Sequence, residues 1–561
     1  MTDSSAPKHG KAESEGAGWW SRLLGSNVLK TAAELVPIVR DFGGATRRPV
    51  DDSRVEWTPN TLRMIASNEL PGAEILVVSN REPYIHNYDE GGITVQTPAS
   101  GLVSALEPVM TACGGTWIAA ASGSADRETV DAYDRLRVPP ERPAYTLRRV
   151  WLSEAEEDGY YYGLANEGLW PLCHLAYVRP QFVEAHWEHY CRVNRKFADA
   201  VVAEAQSARP IVLVQDYHFA LLPRLIREQL PEATIITFWH IPWPNPETFS
   251  ICPWRAEVLD GLLGSSILGF HTQFHCNNFL DSVDRFLESR IDREHQSITF
   301  GGIETLVRPY PISVDWPPKT LLTQAPITAC RAAVQEQFNL PPHVRIAVGI
   351  ERFDYTKGIL DRMRAVDLLL ETFPEWRGRF TFIQAAAPTR TKLPAYKSLQ
   401  DEAVTLAAEI NARQSFDGVP AIILAIHHHE QDEVFELYRA ADVCIVSSLH
   451  DGMNLVAKEF ISARDDEQGM LVLSTFAGAA RELVQALIVN PYDNREMARA
   501  VHQALSMPAE EQRARMTLMR ETVRENNVYR WAGRMLQDAA RIRKRGLIEE
   551  LDRAGRELPR D

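Results

Sequence analysis

Two cations and a glycine directly follow an apolar run in the second half of the chain. The run VRIAVGI continues into ERFDYTKG, which places Arg352 at the end of a predicted buried strand and Lys357 and Gly358 just beyond it. At about 4 Å, one such cation stabilises an anion by roughly 4 kcal/mol at an effective dielectric constant near 20. A helix N-terminus contributes only about 0.3–1 kcal/mol, or ~2 kcal/mol at most. The pair therefore suits a diphosphate, and stabilising a departing diphosphate in this way needs no metal.

A second stretch with chemically active side chains is DGMNLVAKEF at positions 451–460. Asp451 and Asn454 precede a predicted helix, whose first N–H groups are free to bind anionic or hydroxyl oxygens. Glu459 lies about two helical turns beyond Asp451 on the same face, where its carboxylate can bind vicinal hydroxyls such as those of a ribose. The alternative for Glu459 is a surface carboxylate that follows an ordinary helix cap, and this stretch alone leaves both interpretations open.

Polar side chains also follow other predicted strands. The first predicted strand ends in Arg81, and later ones are followed by Asp216, His240 and Arg390. Taken singly, each is explained as a capping residue or a surface charge, but their recurrence at strand ends predicts one shared site. The chain contains neither GxxxxGK[ST] nor GxGxxG, so kinase and dehydrogenase functions have no support.

These residues are positioned by short apolar runs that alternate with helix-like stretches. One series comprises EILVVSN, PIVLVQ, TIITFW and SSILGF, and a second comprises VRIAVGI, FTFIQAAA, AIILAI, DVCIVSS, MLVLS and ALIV. Such alternation predicts parallel sheets with helices on both faces. The predicted fold class is therefore α/β, with two doubly wound, Rossmann-like domains whose strand ends face a central cleft.

The predicted domain boundaries follow from the two series and from the proline-rich connection VDWPPKTLLTQAPI at 314–327. Residues 1–70 form an N-terminal extension, which is partly disordered because residues 1–18 are polar and of low complexity. Residues 71–325 and 326–525 form the two domains, and residues 526–561 form a C-terminal helical segment. Within the extension, residues 19–43 have helical spacing and predict a helix that packs on the body or a partner; its few cations make a membrane surface the less favoured alternative.

Length, charge and cysteine use limit the classes of partner. The chain has 561 residues, a net charge of -15 and a pI near 5.6, which argues against nucleic acid and anionic membranes as partners. Seven scattered cysteines form no CxxC pair, and no apolar run approaches the roughly 18–20 residues that span a bilayer. We therefore expect a reduced, cytoplasmic protein that binds small molecules, with a homo-oligomer left open. The polar N-terminus does not resemble a signal peptide.

Three consecutive histidines, His427 to His429, precede Glu430 and suggest a metal cluster at first sight. Side chains of an extended segment alternate between its two faces, so three adjacent histidines do not converge easily on one ion. His271 and His275 have helical i, i+4 spacing but no evident third ligand. The sequence therefore predicts no metal site.

Several long motifs, in order along the chain, resemble the trehalose-6-phosphate synthase family: SNR, DYH, HIPWP, LGFHT, ERFDYTKG, HDGMNLVAKEF, STFAGAARE and ALIVNPYD. The resemblance covers roughly residues 74–545. It implies a retaining glycosyltransferase of the GT-B fold that moves glucose from a nucleotide-diphosphate glucose to glucose 6-phosphate, giving trehalose 6-phosphate. It implies no cofactor, UDP-glucose as the expected donor with ADP- or GDP-glucose open, and a C-terminal helix that crosses back onto the first domain.

The resemblance also implies roles for individual residues. Arg352 and Lys357 would hold the donor diphosphate, Asp216 would orient the acceptor, and His240 would lie beside the transferred glucose; these four form the catalytic set. The donor would also contact Gly101, Asp451, Met453, Asn454, Leu455 and Glu459, and the acceptor phosphate would meet Arg81, Tyr161, Trp170 and Arg390. Guanidinium groups and a phenol suit a dianionic phosphate, and a sugar ring can lie on an indole face.

The chain departs from the family pattern in two places. The glycine-rich donor loop commonly reads GG, whereas here it is Ser100-Gly101, and WIAAASG after Trp117 replaces a second tryptophan with alanines. The stretch NREPYIHNYDEGG also resembles glucosylglycerol-phosphate synthases, which use glycerol 3-phosphate. Transfer to glycerol 3-phosphate is thus one alternative function, and a non-catalytic sugar-phosphate sensor is another. The chain has no DxDxT-type phosphatase motif.

Overall fold

The structure is a computed structural model that describes residues 55–98, 101–175 and 177–556. The predicted helix at 19–43 and the polar N-terminus lie outside these residues, as does Ser100 of the donor loop. The compact unit to which the sheets belong begins at Trp57. Among the described residues, no helix combines the length and the apolar character needed to cross a bilayer. All seven cysteines lie within the described ranges and are free thiols.

Within the first half of the described residues, ten strands form one sheet in the order β10-β11-β12-β9-β8-β7-β1-β4-β6-β5. The neighbours from β12 to β6 are parallel, and antiparallel pairs close both edges. Strands β2 and β3 form a separate antiparallel hairpin. The strands are β1 Ile75–Arg81, β2 Ile85–Asp89, β3 Gly92–Gln96, β4 Thr116–Ala120, β5 Arg135–Val138, β6 Tyr145–Val150, β7 Ile211–Gln215, β8 Thr234–Phe238, β9 Ile267–Phe270, β10 Arg290–Asp292, β11 Ser297–Phe300 and β12 Ile303–Pro309.

Helices cover this sheet because their apolar residues recur at helical spacing. The longest of them, Glu184–Glu204, buries Val193, Phe197 and Val201 in the apolar core beside the strands. The helices are α1 Pro59–Glu69, α2 Gly101–Cys113, α3 Glu154–Glu157, α4 Trp170–His174, α5 Glu184–Glu204, α6 Leu222–Gln229, α7 Pro246–Phe249, α8 Arg255–Leu262 and α9 Gln273–Phe286.

The second half contains a six-stranded, all-parallel sheet in the order β15-β14-β13-β16-β17-β18. Its strands are apolar nearly throughout because helices cover both faces. They are β13 Arg345–Arg352, β14 Phe380–Ala387, β15 Ile422–Ala425, β16 Val443–Val446, β17 Met470–Ser474 and β18 Leu487–Val489. The helices are α10 Ile327–Gln337, α11 Ile359–Thr372, α12 Pro394–Gln414, α13 Gln431–Ala440, α14 Leu455–Ala463, α15 Asn494–Ser506, α16 Ala509–Glu525 and α17 Val528–Arg556.

Helix α1 belongs to the compact unit, although the sequence analysis placed residues up to 70 in an extension. The Asn527 amide donates to the Trp57 carbonyl over 2.8 Å. A Cβ added at Gly533 would lie 2.2 Å from the Trp57 ring, so α17 and the start of the unit are in close contact. Helix α17 then runs along the first sheet, where the Tyr310 hydroxyl donates to Asp538 over 2.7 Å. The unit therefore begins at residue 57, because α1 is held by α17.

A π-helix over Asp158–Leu169 was not predicted from the sequence, which gives DGYYYGLANEGL no regular hydrophobic period. The segment packs closely on α5. A Cβ added at Gly163 would lie 2.4 Å from the His186 ring, and one at Gly159 would lie 2.7 Å from His189. The two glycines thus permit the close approach that brings the tyrosines between them to the end of the sheet.

A fully buried arginine fixes the segment that follows β1. Arg149 lies 2.8 Å from Glu82 and 2.7 Å from Asp126, and none of the three side chains is exposed. Burial and a hydrogen bond with Asp126 raise the pKa of Glu82 to about 8, so Glu82 keeps its proton near neutral pH. Burial also opposes ionisation of Asp126, but the Glu82 proton and backbone N–H donors hold its pKa below the usual value. Asp126 therefore carries the negative charge that Arg149 neutralises.

Replacing Arg149 with methionine should lower the free energy of unfolding by about 3–5 kcal/mol, because the Asp126 carboxylate then remains buried and unpaired. Denaturant unfolding at pH 7 measures the difference. The control Arg137→Met removes an exposed guanidinium from β5 and should change the free energy by less than about 0.5 kcal/mol. Equal stability of the two variants would contradict a structural role for Arg149.

Candidate active site

The carboxyl ends of the parallel strands of both sheets border one cavity of about 670 Å³. Residues from both halves of the compact unit line it. All the site residues singled out in the sequence analysis are among them: Arg81, Gly101, Tyr161, Trp170, Asp216, His240, Arg352, Lys357, Arg390, Asp451, Met453, Asn454, Leu455 and Glu459. Because the strand ends of both sheets border this cavity, it brings together residues that lie up to several hundred positions apart in sequence.

Guanidinium groups dominate one region of the cavity. Arg81 ends β1 and Arg352 ends β13, and within the described residues neither guanidinium forms an ion pair. Burial, followed by the positive charges of Arg81 and Arg390, lowers the pKa of Arg352. Cations held this close repel one another, so an anion that binds between them relieves the repulsion. This region is suited to phosphate groups.

Lys357 is oriented by an ion pair. Its Nζ lies 2.6 Å from Oδ2 of Asp451, which also accepts from Ser448 over 3.2 Å and from Asn454 over 3.3 Å. Burial alone would raise the pKa of Asp451, but Lys357 holds that pKa well below its usual range. Gly358 follows in the left-handed region, with φ +63°, and a Cβ there would lie 2.3 Å from the Ser447 carbonyl oxygen. The glycine in ERFDYTKG is thus required by the tight turn after Lys357.

The positive charge is strong enough to change the ionisation of a tyrosine. Tyr161 lies on the π-helix, and its hydroxyl accepts from Arg81 over 3.4 Å. Burial opposes ionisation, but the charges of Arg390 and Arg81 outweigh it and lower the pKa of Tyr161 to about 7. His218 stacks on the phenol ring at 5.7 Å between centroids with the two planes 10° apart. The phenol is therefore held facing the guanidinium groups.

Arg390 connects the two halves of the cavity wall. Its guanidinium lies 3.3 Å from Asp354, donates to Tyr217 over 3.2 Å and lies 4.1 Å above the Trp170 ring. The ring of His174 also contacts Trp170, at 4.0 Å between centroids. Arg390 therefore covers one face of the Trp170 indole, and the sugar ring expected to lie on the indole cannot bind on that face. Trp170 supports the arginine instead.

Asp216 and His240 follow the neighbouring strands β7 and β8, and a hydrogen bond from the His240 amide to the Asp216 carboxylate links them. Asp216 has φ +75°, and its Oδ1 accepts from the amide N–H groups of Tyr217 over 2.9 Å and His240 over 3.1 Å. Burial raises the pKa of Asp216 to about 7. The His240 Nε2 donates to Gln215 over 2.8 Å, and burial, followed by the neighbouring His271, lowers its pKa well below the usual value. His240 is consequently neutral, with Nδ1 unprotonated.

Helix α14 points its N-terminus at the cavity. Asn454 has φ +77° and caps the helix by accepting from Ala457 N–H over 3.1 Å. Glu459 accepts from the Tyr438 hydroxyl over 3.0 Å, and burial raises its pKa. A Cβ added at Gly101 would lie 3.0 Å from Leu455, so helices α2 and α14 approach closely across the cavity. The surface-carboxylate alternative for Glu459 is wrong, because its side chain lines the cavity.

Some cavity residues were not identified from the sequence as site residues. His174 and His218 line the wall, and Asp354 pairs with Arg390. His218 and Asp354 stand within the quoted motifs DYH and ERFDYTKG, so their position after a strand was the available signal. His174 follows a π-helix that has no regular sequence period, and no pattern pointed to it.

The three adjacent histidines do not converge, in agreement with the alternation of side chains. The first and third do share one side, however, and a carboxylate one helical turn further on completes a set of possible metal ligands: His427, His429 and Glu433. The prediction of no metal site considered His427 to Glu430 and the pair His271 and His275, and it did not include Glu433.

The sequence profile of glycosyltransferase family 20 matches residues 73–541. The chain belongs to this family. Among its relatives, the Mycolicibacterium gilvum trehalose-6-phosphate synthase is 35% identical over 498 residues, covering 86% of this chain and 97% of the relative. The bifunctional trehalose-6-phosphate synthase/phosphatase of Thermoproteus tenax is 35% identical over 469 residues, covering 82% of this chain but only 62% of that longer protein.

Solved structures of related proteins share this fold. The E. coli trehalose-6-phosphate structure bound with UDP-2-fluoro glucose has a TM-score of 0.73 and 30% identity, covering 83% of this chain and 99% of that one. An alpha,alpha-trehalose-phosphate synthase from Burkholderia xenovorans, in complex with glucose-6-phosphate, has a TM-score of 0.73 and 30% identity, covering 83% and 100%. The predicted fold class and family are confirmed: the chain is an α/β glycosyltransferase of GT-B architecture.

The ionisation of Tyr161 can be measured directly. Native protein should show one tyrosine that ionises near pH 7, detected as tyrosinate absorbance, and Tyr161→Phe should lose this transition. The control is Tyr162→Phe, because burial raises the pKa of Tyr162 and its removal should leave the transition in place. A transition that survives in Tyr161→Phe would show that the arginines do not act on this phenol.

Proposed function

We propose that the protein transfers glucose, with retention of configuration, from UDP-glucose to glucose 6-phosphate, giving trehalose 6-phosphate and UDP. The observation that carries this proposal is that one cavity holds two groups of residues that can bind anions. The first group suits a diphosphate, and the second suits a separate phosphate. Arg352 and Lys357 form the first, and Arg81, Tyr161 and Arg390 form the second. The ligands named for the E. coli and Burkholderia xenovorans structures, UDP-2-fluoro glucose and glucose-6-phosphate, support the same pair of substrates.

On the donor side, Arg352 and Lys357 hold the diphosphate, and Asp451 keeps the ammonium of Lys357 in place over 2.6 Å. The free N–H groups at the start of α14, near Met453 and Leu455, supply further donors to the phosphate and the sugar. Asp451 and Asn454 bind glucose hydroxyls, and Glu459 binds the ribose hydroxyls. Gly101 admits the donor between α2 and α14, because a larger residue there would press on Leu455.

On the acceptor side, Arg81, Tyr161 and Arg390 surround the 6-phosphate, with Trp170 supporting the guanidinium of Arg390. Asp216 orients the acceptor hydroxyl, since two backbone amides fix its Oδ1 while, among the described residues, no backbone N–H binds its Oδ2. His240 lies between the donor side and the acceptor side of the cavity. Its protonated Nε2 is held by Gln215, which leaves Nδ1 as an acceptor for a hydroxyl of the transferred glucose.

In the proposed reaction, the bond from glucose C1 to the diphosphate oxygen breaks, and the acceptor oxygen bonds to C1 on the same face. The acceptor proton passes to the departing phosphate oxygen, so no side chain forms a covalent intermediate. Charge accumulates on the diphosphate as the bond breaks, and Arg352 and Lys357 stabilise it there. Alignment of the two substrates by the opposing anion pockets supplies the remaining acceleration.

The proposal includes no cofactor, because the cavity's own cations can stabilise the leaving group. A reducing compartment such as the cytoplasm is supported by the free thiols of all seven cysteines.

Removing Arg352 should show its role in leaving-group stabilisation. Arg352→Ala is expected to lower turnover by at least about a hundredfold, the usual loss for one charge-stabilising group. Release of UDP from UDP-glucose with saturating glucose 6-phosphate measures this. The control Arg364→Ala removes an exposed arginine of α11 and should retain turnover. Near-normal turnover in Arg352→Ala would remove the diphosphate role.

The acceptor is tested by product identification with glucose 6-phosphate and glycerol 3-phosphate in turn, in native protein and in Arg81→Ala. We expect trehalose 6-phosphate as the product, and an acceptor KM raised at least about tenfold in Arg81→Ala, because a charge-assisted hydrogen bond to phosphate contributes about 1.5–3 kcal/mol. Product formed only with glycerol 3-phosphate would replace the proposed acceptor. Sugar-phosphate binding without UDP release would indicate a sensor.

A further inference from the structure

The turn between β15 and α13 places two imidazoles against one carboxylate oxygen. His427 Nε2 lies 3.1 Å from Oε1 of Glu433, and His429 Nδ1 lies 2.9 Å from the same oxygen. The two rings are 3.8 Å apart between centroids. His427 and His429 share a side because side chains alternate along the extended turn, and Glu433 reaches them from the first turn of α13.

The hydrogen bond on the far side of the His429 ring fixes its tautomer. Nε2 lies 3.1 Å from the Ala425 carbonyl oxygen, which can only accept, so Nε2 carries a hydrogen. The side chain is only 5% exposed, and its buried Nδ1 lies within ion-pair distance of Glu433 Oε1 without forming a hydrogen bond of normal geometry. In the neutral ring, the Nδ1 lone pair therefore faces a carboxylate oxygen. Two electron-rich atoms this close call for a proton or a metal ion between them.

We propose that His427, His429 and Glu433 bind a divalent transition-metal ion, of which Zn²⁺ is the representative. Two imidazoles and one carboxylate are ligands that Zn²⁺ accepts, whereas Mg²⁺ and Ca²⁺ prefer oxygen ligands throughout. The carbonyl of Ala425 supplies the second-shell hydrogen bond that metal-binding histidines commonly make.

The distances fit with a small adjustment. Tetrahedral ligands at about 2.0–2.1 Å from Zn²⁺ lie roughly 3.3 Å from one another. The two nitrogen-to-oxygen distances, 2.9 Å and 3.1 Å, must therefore widen by a few tenths of an ångström. His427 can supply this movement, because its side chain is 51% exposed. The same exposure leaves solvent access for a water molecule as the fourth ligand.

A metal here would tie the end of β15 to the first turn of α13, and this turn is part of the cavity wall. His428 and Glu430 line the cavity, as does Tyr438 of α13, which donates to Glu459. Metal binding would thus fix the part of the cavity wall beside Glu459, the carboxylate that we propose binds the ribose. This consequence for the donor rests on the proposed function, whereas binding of the metal does not.

Metal binding is tested on the full chain after treatment with a chelator and its removal, by titration with Co²⁺ followed by visible absorbance and displacement with Zn²⁺. We expect one equivalent to bind. His427→Ala and Glu433→Gln should each weaken metal binding by at least about tenfold. Loss of a residue that only hydrogen-bonds to a ligand already lowers metal affinity about 10–100-fold, and these variants lose a ligand itself. The matched control is His295→Ala, which removes an exposed histidine paired with Asp292 and should bind as the native protein does.

Absence of saturable binding to native protein would overturn the proposal and identify the His429–Glu433 contact as an imidazolium ion pair. Unchanged binding in both ligand variants would overturn it as well, by placing the metal elsewhere. Amide hydrogen exchange over residues 426–433 tests the effect on the turn: Zn²⁺ should slow exchange in native protein but not in Glu433→Gln. These measurements use no sugar substrate, so their failure is distinguishable from failure of the proposed transfer reaction.

Discussion

Positive charge gathered in one enclosed cavity is the constraint on which the site depends. Arg81, Arg352 and Arg390 approach closely enough that each affects the ionisation of Tyr161, and only Arg390 has a carboxylate partner within the described residues. Burying like charges together is unfavourable by itself. The repulsion is removed when anions bind, so part of the electrostatic energy that the fold stores becomes available for holding two phosphate-bearing substrates near one another.

The fold sustains this arrangement by fixing the backbone around the cavity. Asp216, Arg390 and Asn454 all have positive φ, at +75°, +48° and +77°, although none of them is glycine. Such conformations cost about 1–3 kcal/mol each and persist only when the surroundings determine them. Here the surroundings are two sheets with buried strands and, next to the end of β1, the buried cluster in which Arg149 contacts Glu82 and Asp126. Rigid elements behind the site thus allow strained residues within it.

The strand ends could be predicted because parallel sheets place their carboxyl ends on one edge, and an apolar run shows where such a strand stops. That reasoning locates Arg81, Asp216, Arg352 and Lys357 from the sequence alone. It could not show that Arg390 would cover Trp170, since this contact joins the second sheet to a helix of the first half. Nor could it find His174 or Glu433: the first follows a π-helix without regular period, and the second joins its histidines only because a helix begins between them. Contacts made by tertiary packing leave no periodic signal.

The two halves are also locked together at the base of the cavity. Gly452 lies so close to the His240 carbonyl that an added Cβ would be 2.2 Å from its oxygen, and that carbonyl also accepts from His271 Nε2 over 2.9 Å. Lys458, buried in α14, donates to the Ile312 carbonyl over 2.8 Å. The segment that leads into α14, whose N-terminus points at the cavity, is therefore held against the segment after β8 that carries His240. A displacement of either half would separate Arg352, at the end of β13, from Arg81, at the end of β1, so the geometry of the cavity depends on this contact as much as on the charged residues themselves.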